Sequence, residues 1–463
     1  MRTYSLLFLL FSIGSAFAQD KNPNELTYNE FLGYVKKFHP LVKKANLELN
    51  MAQANLMLAR GAFDPKFEVD FSEKEFKTKD YYSKLNGSFK IPTWYGIEIK
   101  AGLDSNDGLY LNPENSTSNQ ALTAIGISVP LGQGLFINQR MADLKKAKIQ
   151  YNLSQSEIKL QAITVLYDAS LTYFNWKKNF TEVKLYEKYN KQANLRYTAL
   201  KKLIELGDKS AIDSIEASII VKNRTLNLLD SQLKLAKARL ELSTFLWLEN
   251  NTPVEIKEDL TPEEILDTTI EETLNTNQLT TSEKILDNHP KINVLQNKIE
   301  ILTIDKKLKA NMLLPKVDIS YSYLSEPKSF DSYQFNNYKV GVSFYYPLFL
   351  RKERGSLKLA QLKLQDAQYS LNLEKVQLQN KIISYQTEIQ SIKSQKKIIH
   401  SLVKDHIQML NSEERLFSFG ESSVFLINTR ENNLVSAQLS EITLENRYFI
   451  SHAELFKIIG NPN

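Results

Sequence analysis

Cysteine is absent from the 463-residue sequence, and histidine occurs only five times. Without a thiol, neither a disulfide nor a thiolate metal site can form. His400 and His406 are the closest pair, and six residues place them about 240° apart on a helix, facing different directions. We therefore expect neither a metal site nor a cofactor. His39 and His289 each precede a proline and are interpreted as capping residues at helix starts.

Long apolar runs are also missing once the first eighteen residues are set aside. Arg2 is followed by an apolar stretch from Leu6 to Phe17, and the small-residue pattern Ala16-Phe17-Ala18 precedes Gln19. This arrangement is typical of a secretory signal peptide, and an apolar core of about a dozen residues is too short for a permanent transmembrane helix. We predict that residues 1–18 are a signal peptide and that the protein is exported.

Neither sign of charge dominates the chain. There are 58 Lys and Arg residues against 53 Asp and Glu residues, a formal net charge of +5, without a long block of like charge. This balance gives no indication of a nucleic-acid partner. The sequence also lacks a P-loop, a dinucleotide-binding glycine motif and a nucleophile elbow. We therefore expect a protein that is not an enzyme and that depends on a partner for energy.

The chain is built twice. Its halves begin at HPLVKKANLELN (His39) and HPKINVLQNKIE (His289), and both continue through a helical stretch, a Pro-Lys pair, β-patterned residues, another proline and a very long helix. An ordered internal repeat of this kind indicates a duplicated architecture. We predict a first repeat at 19–248, a second at 289–463, and an acidic, Thr- and Asn-rich equatorial segment at 249–288 between them.

The same order of elements is predicted for both repeats. The first contains a short helix, a β region at 66–130, a long helix at 136–206 and a return helix at 211–246. The second contains a helix at 289–313, a β region at 316–347, a long helix at 351–419 and a return helix at 424–459. The first β region is the longer one, because an extra pair of strands surrounds the turn IPTWYG.

Within the β regions, apolar and polar residues alternate with a period of two, as the segment YKVGVSFY at 338–345 illustrates. The pattern predicts strands with one apolar side, and by itself it fits a soluble sandwich as well as a membrane sheet. Aromatic residues near the predicted strand ends form a candidate membrane-interface girdle, with core packing as the alternative. These residues are Trp94, Tyr95, Tyr321, Tyr323, Tyr345 and Tyr346.

The long helices carry a seven-residue apolar repeat. In the second repeat it comprises Leu357, Leu364, Leu371, Leu378, Tyr385, Ile392 and Ile399. Heptad spacing predicts coiled-coil packing. Charged residues between these positions, such as Glu374 and Lys381, indicate that one side of the helix faces water.

Both long helices end at a glycine that is followed by a serine. Gly207 precedes Ser210, and Gly420 precedes Ser422. Glycine favours the C-terminus of a helix and serine the start of the next one. We predict a tight reversal at each glycine, with Ser210 and Ser422 as N-caps of the return helices.

In this order of elements the sequence resembles the TolC-like outer membrane efflux protein family over essentially the whole chain after the signal peptide. The matching segments are GISVPLGQG and GVSFYYPLF at the strand-to-helix junctions, GDKSAIDSIEA and GESSVFLINTREN after the turns, and the two His-Pro starts. The resemblance implies a mainly α fold with a β membrane part: a long coiled-coil α-helical barrel in the periplasm and a transmembrane β-barrel shared by a homotrimer.

The resemblance also implies a function and partners. It predicts an outer-membrane channel of a tripartite efflux pump or a type I secretion system, engaged by a periplasmic adaptor protein and an inner-membrane transporter. Acidic residues after the first turn, Asp213 and Glu216, match positions that narrow the periplasmic entrance in the family, whereas Leu426 and Thr429 occupy those positions in the second repeat. Complementing the helix dipole is the alternative role of the two acids.

The turn residues themselves are candidates for adaptor contact: Gly207, Asp208, Gly420 and Glu421. Two further alternatives stay open at this point. The extra strand pair allows four membrane strands per chain, twelve in a trimer, with the pair held outside, or six per chain and eighteen in a trimer. A protein of another class, a periplasmic or surface coiled-coil scaffold or adhesin with a small β head, would show similar helices.

Overall fold

A computed structural model describes residues 24–117, 121–207, 210–264, 267–276, 286, 288–329 and 334–460. The predicted signal peptide and Asp208 lie outside the described residues. None of the helices in the described ranges combines the length and the apolarity that crossing a lipid bilayer requires.

Both repeats run from a helix through strands to a long helix and a return helix. The helices of the first repeat are α1 (Tyr28–Phe38), α2 (Pro40–Gly61), the long α3 (Gln139–Glu205) and the return helix α4 (Ala211–Ser243). The helices that follow are α5 (Asp267–Thr273), α6 (Pro290–Asn311), the long α7 (Arg351–Ser418) and the return helix α8 (Val424–Ile459). Helix α4 ends before the expected residue 246, because the chain continues in tight turns from Thr244.

The chain forms two compact units, and each takes residues from both repeats. The first, which we call the helical unit, contains the described residues up to 39 together with 168–275 and 389–453. The second, the sheet unit, contains 40–167, 276–388 and the residues from 454 onward. The duplicated sequence therefore does not correspond to two compact domains, because every repeat supplies elements to both units.

Aromatic side chains form part of the core of the helical unit, where α1 meets α3. The ring centroid of Tyr28 lies 5.3 Å from that of Tyr173 and 5.1 Å from that of Phe174. The Tyr173 hydroxyl donates a hydrogen bond of 2.7 Å to the carbonyl oxygen of Leu26. These rings are buried, and their polar atoms are paired, as buried tyrosines require.

The described residues of the inter-repeat segment up to 275 belong to the helical unit. Its strand β6 (Thr261–Pro262) pairs in parallel with β1 (Glu25–Leu26). On α5, the Glu271 carboxylate accepts hydrogen bonds from Lys393 Nζ of α7 and from the Tyr448 hydroxyl of α8, both 2.7 Å long. An equatorial role for this segment remains a prediction.

Heptad positions supply the contacts among the long helices of the helical unit. Tyr189 of α3 is buried with Val403 and Leu410 of α7 and with Leu434 of α8. Helix α4 packs against α3 and α8 through Ala217, which is buried with Leu200 of α3 and Val424 of α8. Of the predicted series on α7, Leu378 and Ile392 are buried and the other members are half-buried, whereas Lys381 is exposed.

The sheet unit contains a six-stranded antiparallel sheet in the order β2-β3-β4-β5-β7-β8. The strands are β2 (Lys66–Phe76), β3 (Lys79–Pro92), β4 (Glu98–Asp107), β5 (Leu122–Pro130), β7 (Lys316–Ser325) and β8 (Tyr338–Tyr345). The first repeat contributes β2 to β5 and the second contributes β7 and β8. The extra pair seen in the sequence corresponds to β3 and β4, which stand between β2 and β5.

The two reversals after the long helices depend on glycine. Gly207 has a φ of 84° and Gly420 a φ of 80°, both in the left-handed region that side chains disfavour. The N-cap of α8 is Ser423, whose hydroxyl accepts a hydrogen bond from the amide of Leu426. Ser422, predicted to be this cap, instead donates its hydroxyl hydrogen bond to the carboxylate of Glu413.

Ser210 is the N-cap residue of α4, but its side chain makes no capping hydrogen bond. The backbone of the first turn is held instead by the amide of Asp213, which donates to the carbonyl oxygen of Ser210. The identity of this cap is therefore as predicted, whereas the side-chain contact is not.

Replacing either turn glycine tests the role of its backbone conformation. We expect Gly207→Ala and Gly420→Ala each to lower the free energy of unfolding by about 1 kcal/mol, because a Cβ is disfavoured in the left-handed region. No atom lies within 4 Å of the Cβ position at either glycine, so steric overlap would not contribute. Urea denaturation followed by circular dichroism measures the change.

Gly355 provides the control, because it lies exposed inside α7 with equally open surroundings. Gly355→Ala should raise stability by about 0.5–1 kcal/mol, since alanine favours a helix interior. Equal effects at all three positions would contradict the explanation by backbone conformation.

Candidate functional site

One face of the six-stranded sheet is apolar. Residues paired across an antiparallel ladder share a face, and one such row runs through Phe67, Phe89, Ala101, Ile125, Tyr323 and Tyr338. Many of the larger side chains of this face are 39 to 74 % exposed in the single chain, and others, such as Tyr323, are half-buried. The exposed ones include Val69, Phe71, Leu85, Ile99, Leu103, Ile127, Tyr321, Val340, Val342 and Phe344. An exposed apolar surface that extends over six strands indicates contact with lipid or protein.

The opposite face of the sheet is polar. One row on it runs through Lys66, Lys90, Lys100, Gly126, Ser322 and Lys339. Carboxylates of the neighbouring rows accompany these lysines: Lys90 Nζ lies 2.7 Å from Glu68 Oε2, and Lys100 Nζ lies 3.5 Å from Glu98 Oε2. The sheet thus separates an apolar side from a hydrated, charged side, as a sheet between lipid and water does.

The predicted girdle aromatics lie at both ends of the strands. Trp94 and Tyr95 form the β3–β4 turn, which lies beside the C-terminal end of α2 and the start of α3. The Trp94 ring stacks on that of Phe63, with 5.6 Å between the ring centroids. Tyr321 and Tyr323 lie on the apolar face toward the other end. A membrane-interface girdle formed by these aromatic residues stays a prediction.

Two predicted aromatics belong to the end of β8. Tyr345 is paired with Lys316 and therefore lies on the polar face, one position out of phase with Phe344. Tyr346 follows the strand directly. The alternation of the strand thus separates Tyr345 from the apolar surface, which a count of aromatics near strand ends could not reveal.

The candidate entrance residues lie near the first turn. Asp213 is in the first turn of α4 and Glu216 follows three residues later, so the two half-buried acids share one side of the helix. At the matching positions of α8, Leu426 and Thr429 bring no charge. Beside the second turn, Glu421 is exposed. An entrance role for the two acids stays a prediction, as does stabilisation of the helix dipole.

A buried ionic cluster joins α3, α4 and α8 in the helical unit. The carboxylate of Glu431, only 1 % exposed, accepts hydrogen bonds from Arg196 of α3 at 2.5 Å and from Arg224 of α4 at 3.4 Å. Asn428 Oδ1 accepts from Arg196, and Asn432 Oδ1 accepts from Arg224 at 2.7 Å. Burial of charge is tolerated when each group is paired in this way.

This cluster was not predicted, although the sequence contains a signal for it. Glu431 lies seven residues after the buried Val424, and Arg224 lies seven residues after the buried Ala217. Charged residues at core heptad positions usually pair with each other or specify the packing register. Beside the cluster, burial raises the pKa of Tyr189 to about 12, and the Glu431 carboxylate adds to this effect.

The histidines have structural roles. His289 caps α6, with Nδ1 accepting a hydrogen bond from the amide of Lys291 and Nε2 2.9 Å from the carbonyl oxygen of Ile458. His39 stacks on Phe245, and its role as a helix cap stays a prediction. Burial lowers the pKa of both rings. Among the described residues, no group of three or more His, Cys, Asp or Glu side chains is arranged to hold a metal ion.

A family model described as outer membrane efflux protein matches residues 35–246 and 281–461. The chain belongs to the outer membrane efflux protein family. The two matched blocks contain both repeats, with their strands, long helices and turns. A search of curated protein sequences found no match.

Solved structures share the fold of this efflux protein. The outer membrane protein VceC of Vibrio cholerae is 15 % identical and aligns over 94 % of this chain and 96 % of its own, with a TM-score of 0.69. The outer membrane channel CmeC of Campylobacter jejuni (13 % identity, 93 % and 85 % coverage, TM-score 0.66) is similar. The open state of the Neisseria gonorrhoeae MtrE outer membrane channel is also similar, with 12 % identity, coverage of 94 % of this chain and 89 % of its own, and a TM-score of 0.67.

The protein is therefore an outer membrane efflux protein with the fold of solved outer membrane channels. Its family is one of channels rather than of enzymes. The mainly helical fold with a membrane sheet agrees with the prediction from the duplicated sequence. A scaffold or adhesin with a soluble β head does not account for the exposed apolar face of the sheet.

The ionic cluster yields a prediction for this efflux protein. Glu431→Ala should lower the free energy of unfolding by about 3–5 kcal/mol, because the buried Arg224 guanidinium would lose its anion. Thermal or urea denaturation of the purified variant measures the loss. The control is Glu414→Ala, since Glu414 is half exposed and lies 4.0 Å from Arg196. Its loss should change stability by less than about 1 kcal/mol.

A small effect of Glu431→Ala, equal to that of Glu414→Ala, would mean that the cluster does not hold the three helices together. A double variant that replaces both Glu431 and Arg224 should recover part of the stability, because the buried Arg224 charge is removed with its partner and only the less buried Arg196, 4.0 Å from Glu414, loses an anion.

Proposed function

We propose that three copies of the chain form the working channel, through which solutes pass unchanged from the periplasm to the outside. The observation that carries the proposal is the two-faced sheet with two open edges. In the described part of the chain, β2 pairs only with β3, and β8 pairs only with β7. Unpaired strand edges are not stable in a bilayer, so the sheet must close on other copies.

The two edges are suited to each other. Strand β2 leaves the end of α2, and β8 leads toward α7, so edge strands of neighbouring copies would run antiparallel with their helices on the same side. Both present the same alternation, with apolar side chains such as Val69 and Val342 on one face. A contact between two different edges, repeated by rotation, produces a closed ring.

The helical unit supplies a second open surface for copy-to-copy contact. On α4, apolar residues that are 53 to 70 % exposed follow heptad spacing: Ile212, Ile215, Ile219, Leu226, Leu229, Leu233 and Leu240. On α7, exposed apolar residues of the same unit, Leu402, Met409 and Leu416, are also seven apart. Heptad stripes favour packing against another helix. Contact between α4 of one copy and α7 of the next would cover both stripes.

Solutes would enter beside the helix reversals. Asp213 and Glu216 from three copies would form acidic rings at the entrance, populated from the first repeat alone. The exposed turn residues Gly207, Gly420 and Glu421, with Asp208, would contact a periplasmic adaptor protein, and an inner-membrane transporter would supply the energy. The channel itself would need neither a cofactor nor a catalytic residue.

Planar-bilayer recording on the detergent-purified protein, together with its mass in solution, tests the proposal. We expect discrete conductance steps and the mass of three chains. Val342→Arg should abolish insertion, because a cation on the lipid face of a membrane strand costs about 2–4 kcal/mol. Ser343→Arg should insert normally, since Ser343 is on the polar face opposite Asp318. A monomer that never inserts would overturn the proposal.

The acidic entrance can be tested separately. Asp213→Asn combined with Glu216→Gln should lower the ratio of cation to anion permeability, because three copies would lose six negative charges at the narrowest point. Reversal potentials in a salt gradient measure this ratio. Asp230→Asn is the control on the same helix, where the exposed Asp230 pairs with Lys234. An unchanged ratio with reduced helix stability would assign the two acids to the helix dipole instead.

A further inference from the structure

We propose that the β3–β4 hairpin lies in the bilayer with the other strands, so that three copies close an eighteen-stranded sheet rather than a twelve-stranded one. This inference rests on the three-chain channel proposed above. It concerns the strand pair that the first repeat has and the second lacks. The alternative is a hairpin that folds outside the membrane and leaves four strands per chain.

Pairing is the first argument for membrane strands. Strand β3 pairs with β4 without interruption from Ser83–Asp107 to Pro92–Glu98, and β4 continues the ladder to β5. Strand β2 pairs with β3 and not with β5. Removing the hairpin would leave β2 and β5 with free edges inside the chain, and a new ladder would have to form between them. In hydrocarbon such unpaired backbone groups are too costly.

The alternation of side chains is the second argument. On β3 and β4 the apolar face carries Leu85, Phe89, Ile99 and Leu103, which are 40 to 42 % exposed. Their neighbours on the polar face include Lys90 and Lys100. A hairpin in water has no need for an exposed apolar face in register with the faces of four membrane strands. Lipid contact explains both the exposure and the register.

Strand length agrees with this assignment. A transmembrane strand needs about 9–11 residues. Strand β3 has 14 residues and β4 has 10, compared with 11 in β2 and 9 in β5. The inserted strands are therefore at least as suitable as their neighbours for crossing a bilayer.

The turn of the hairpin is fixed where the other strands meet their helices. Asn138 Nδ2 donates hydrogen bonds to the carbonyl oxygens of Trp94 (3.0 Å) and Gly134 (3.3 Å), while its Oδ1 accepts from the amide of Met141 at the start of α3. Gly96 has a φ of 75°, and a Cβ there would lie 3.0 Å from the Gly134 carbonyl oxygen. The hairpin is thus built into the junction of sheet and helix.

The assignment predicts a wider opening and a different lining. Barrel diameter grows roughly linearly with strand number, so eighteen strands give about 1.5 times the diameter of twelve. The hairpin also places Lys90 and Lys100 on the water-filled side. Together with Lys66 and Lys339 of the same row, they would line the exit.

Single cysteines can locate the hairpin cleanly, because the natural chain contains none. Phe89→Cys and Leu103→Cys would carry a fluorescent label in proteoliposomes whose lipid tails bear a nitroxide quencher. Val340→Cys on β8 is the reference for a lipid-facing position, and Ser88→Cys is the control on the polar face. Leu85→Cys and Ile99→Cys replace the first pair if either variant fails to assemble.

We expect the labels at positions 89 and 103 to be quenched as strongly as the one at 340, and at least several-fold more than the one at 88. Quenching at 340 without quenching at 89 and 103 would overturn the eighteen-stranded sheet and leave the three-chain channel standing. Absence of quenching at all four positions would overturn both proposals. Lys90→Gln with Lys100→Gln should also shift the reversal potential toward cations, and an unchanged potential would argue that these side chains lie outside the channel.

Discussion

An apolar face that extends across six strands and remains exposed in the single chain is unfavourable in water, and the rest of the molecule is arranged around this constraint. Burying such a face in lipid requires that every strand edge be paired, which a single open sheet cannot achieve. The polar face must then stay hydrated, and its lysines and carboxylates do so in paired rows such as Lys90 with Glu68. Lipid on one side and water on the other follow from the same alternation.

The long helices must also present one side to water while they pack on the other. A helix that lines a water-filled passage can bury only part of its surface, so α7 combines buried seam residues such as Ile392 and Val403 with exposed charged positions. Part of the remaining affinity between helices comes from the ionic cluster around Glu431. Because such a cluster depends on geometry more than apolar contacts do, it favours one register of α3, α4 and α8 over others.

Much of this architecture could be predicted from the sequence because periodicity is a local property. The seven-residue series at Leu378 and Ile392, the period-two strands and the turn glycines each predict an element from its own residues. Facing partners are not local: the pairing of Arg224 with Glu431 joins segments that are about two hundred residues apart in the chain. The sequence predicted where Asp213 lies, in the first turn after the reversal, whereas its role at an entrance stays a prediction.

The two repeats differ in ways that the architecture permits. The return helices must remain comparable, because both pack along long helices that share one helical unit. A sheet tolerates insertion more easily, provided that strands are added in pairs. Strand β2 leaves the helix side, the β3–β4 hairpin begins and ends at the far end of the sheet, and β5 returns to the helix side, so the direction of the chain into α3 is unchanged. A single added strand would deliver the chain to the wrong end of the sheet. An antiparallel pair is therefore the smallest insertion that could widen the sheet while leaving the helices of the first repeat in place.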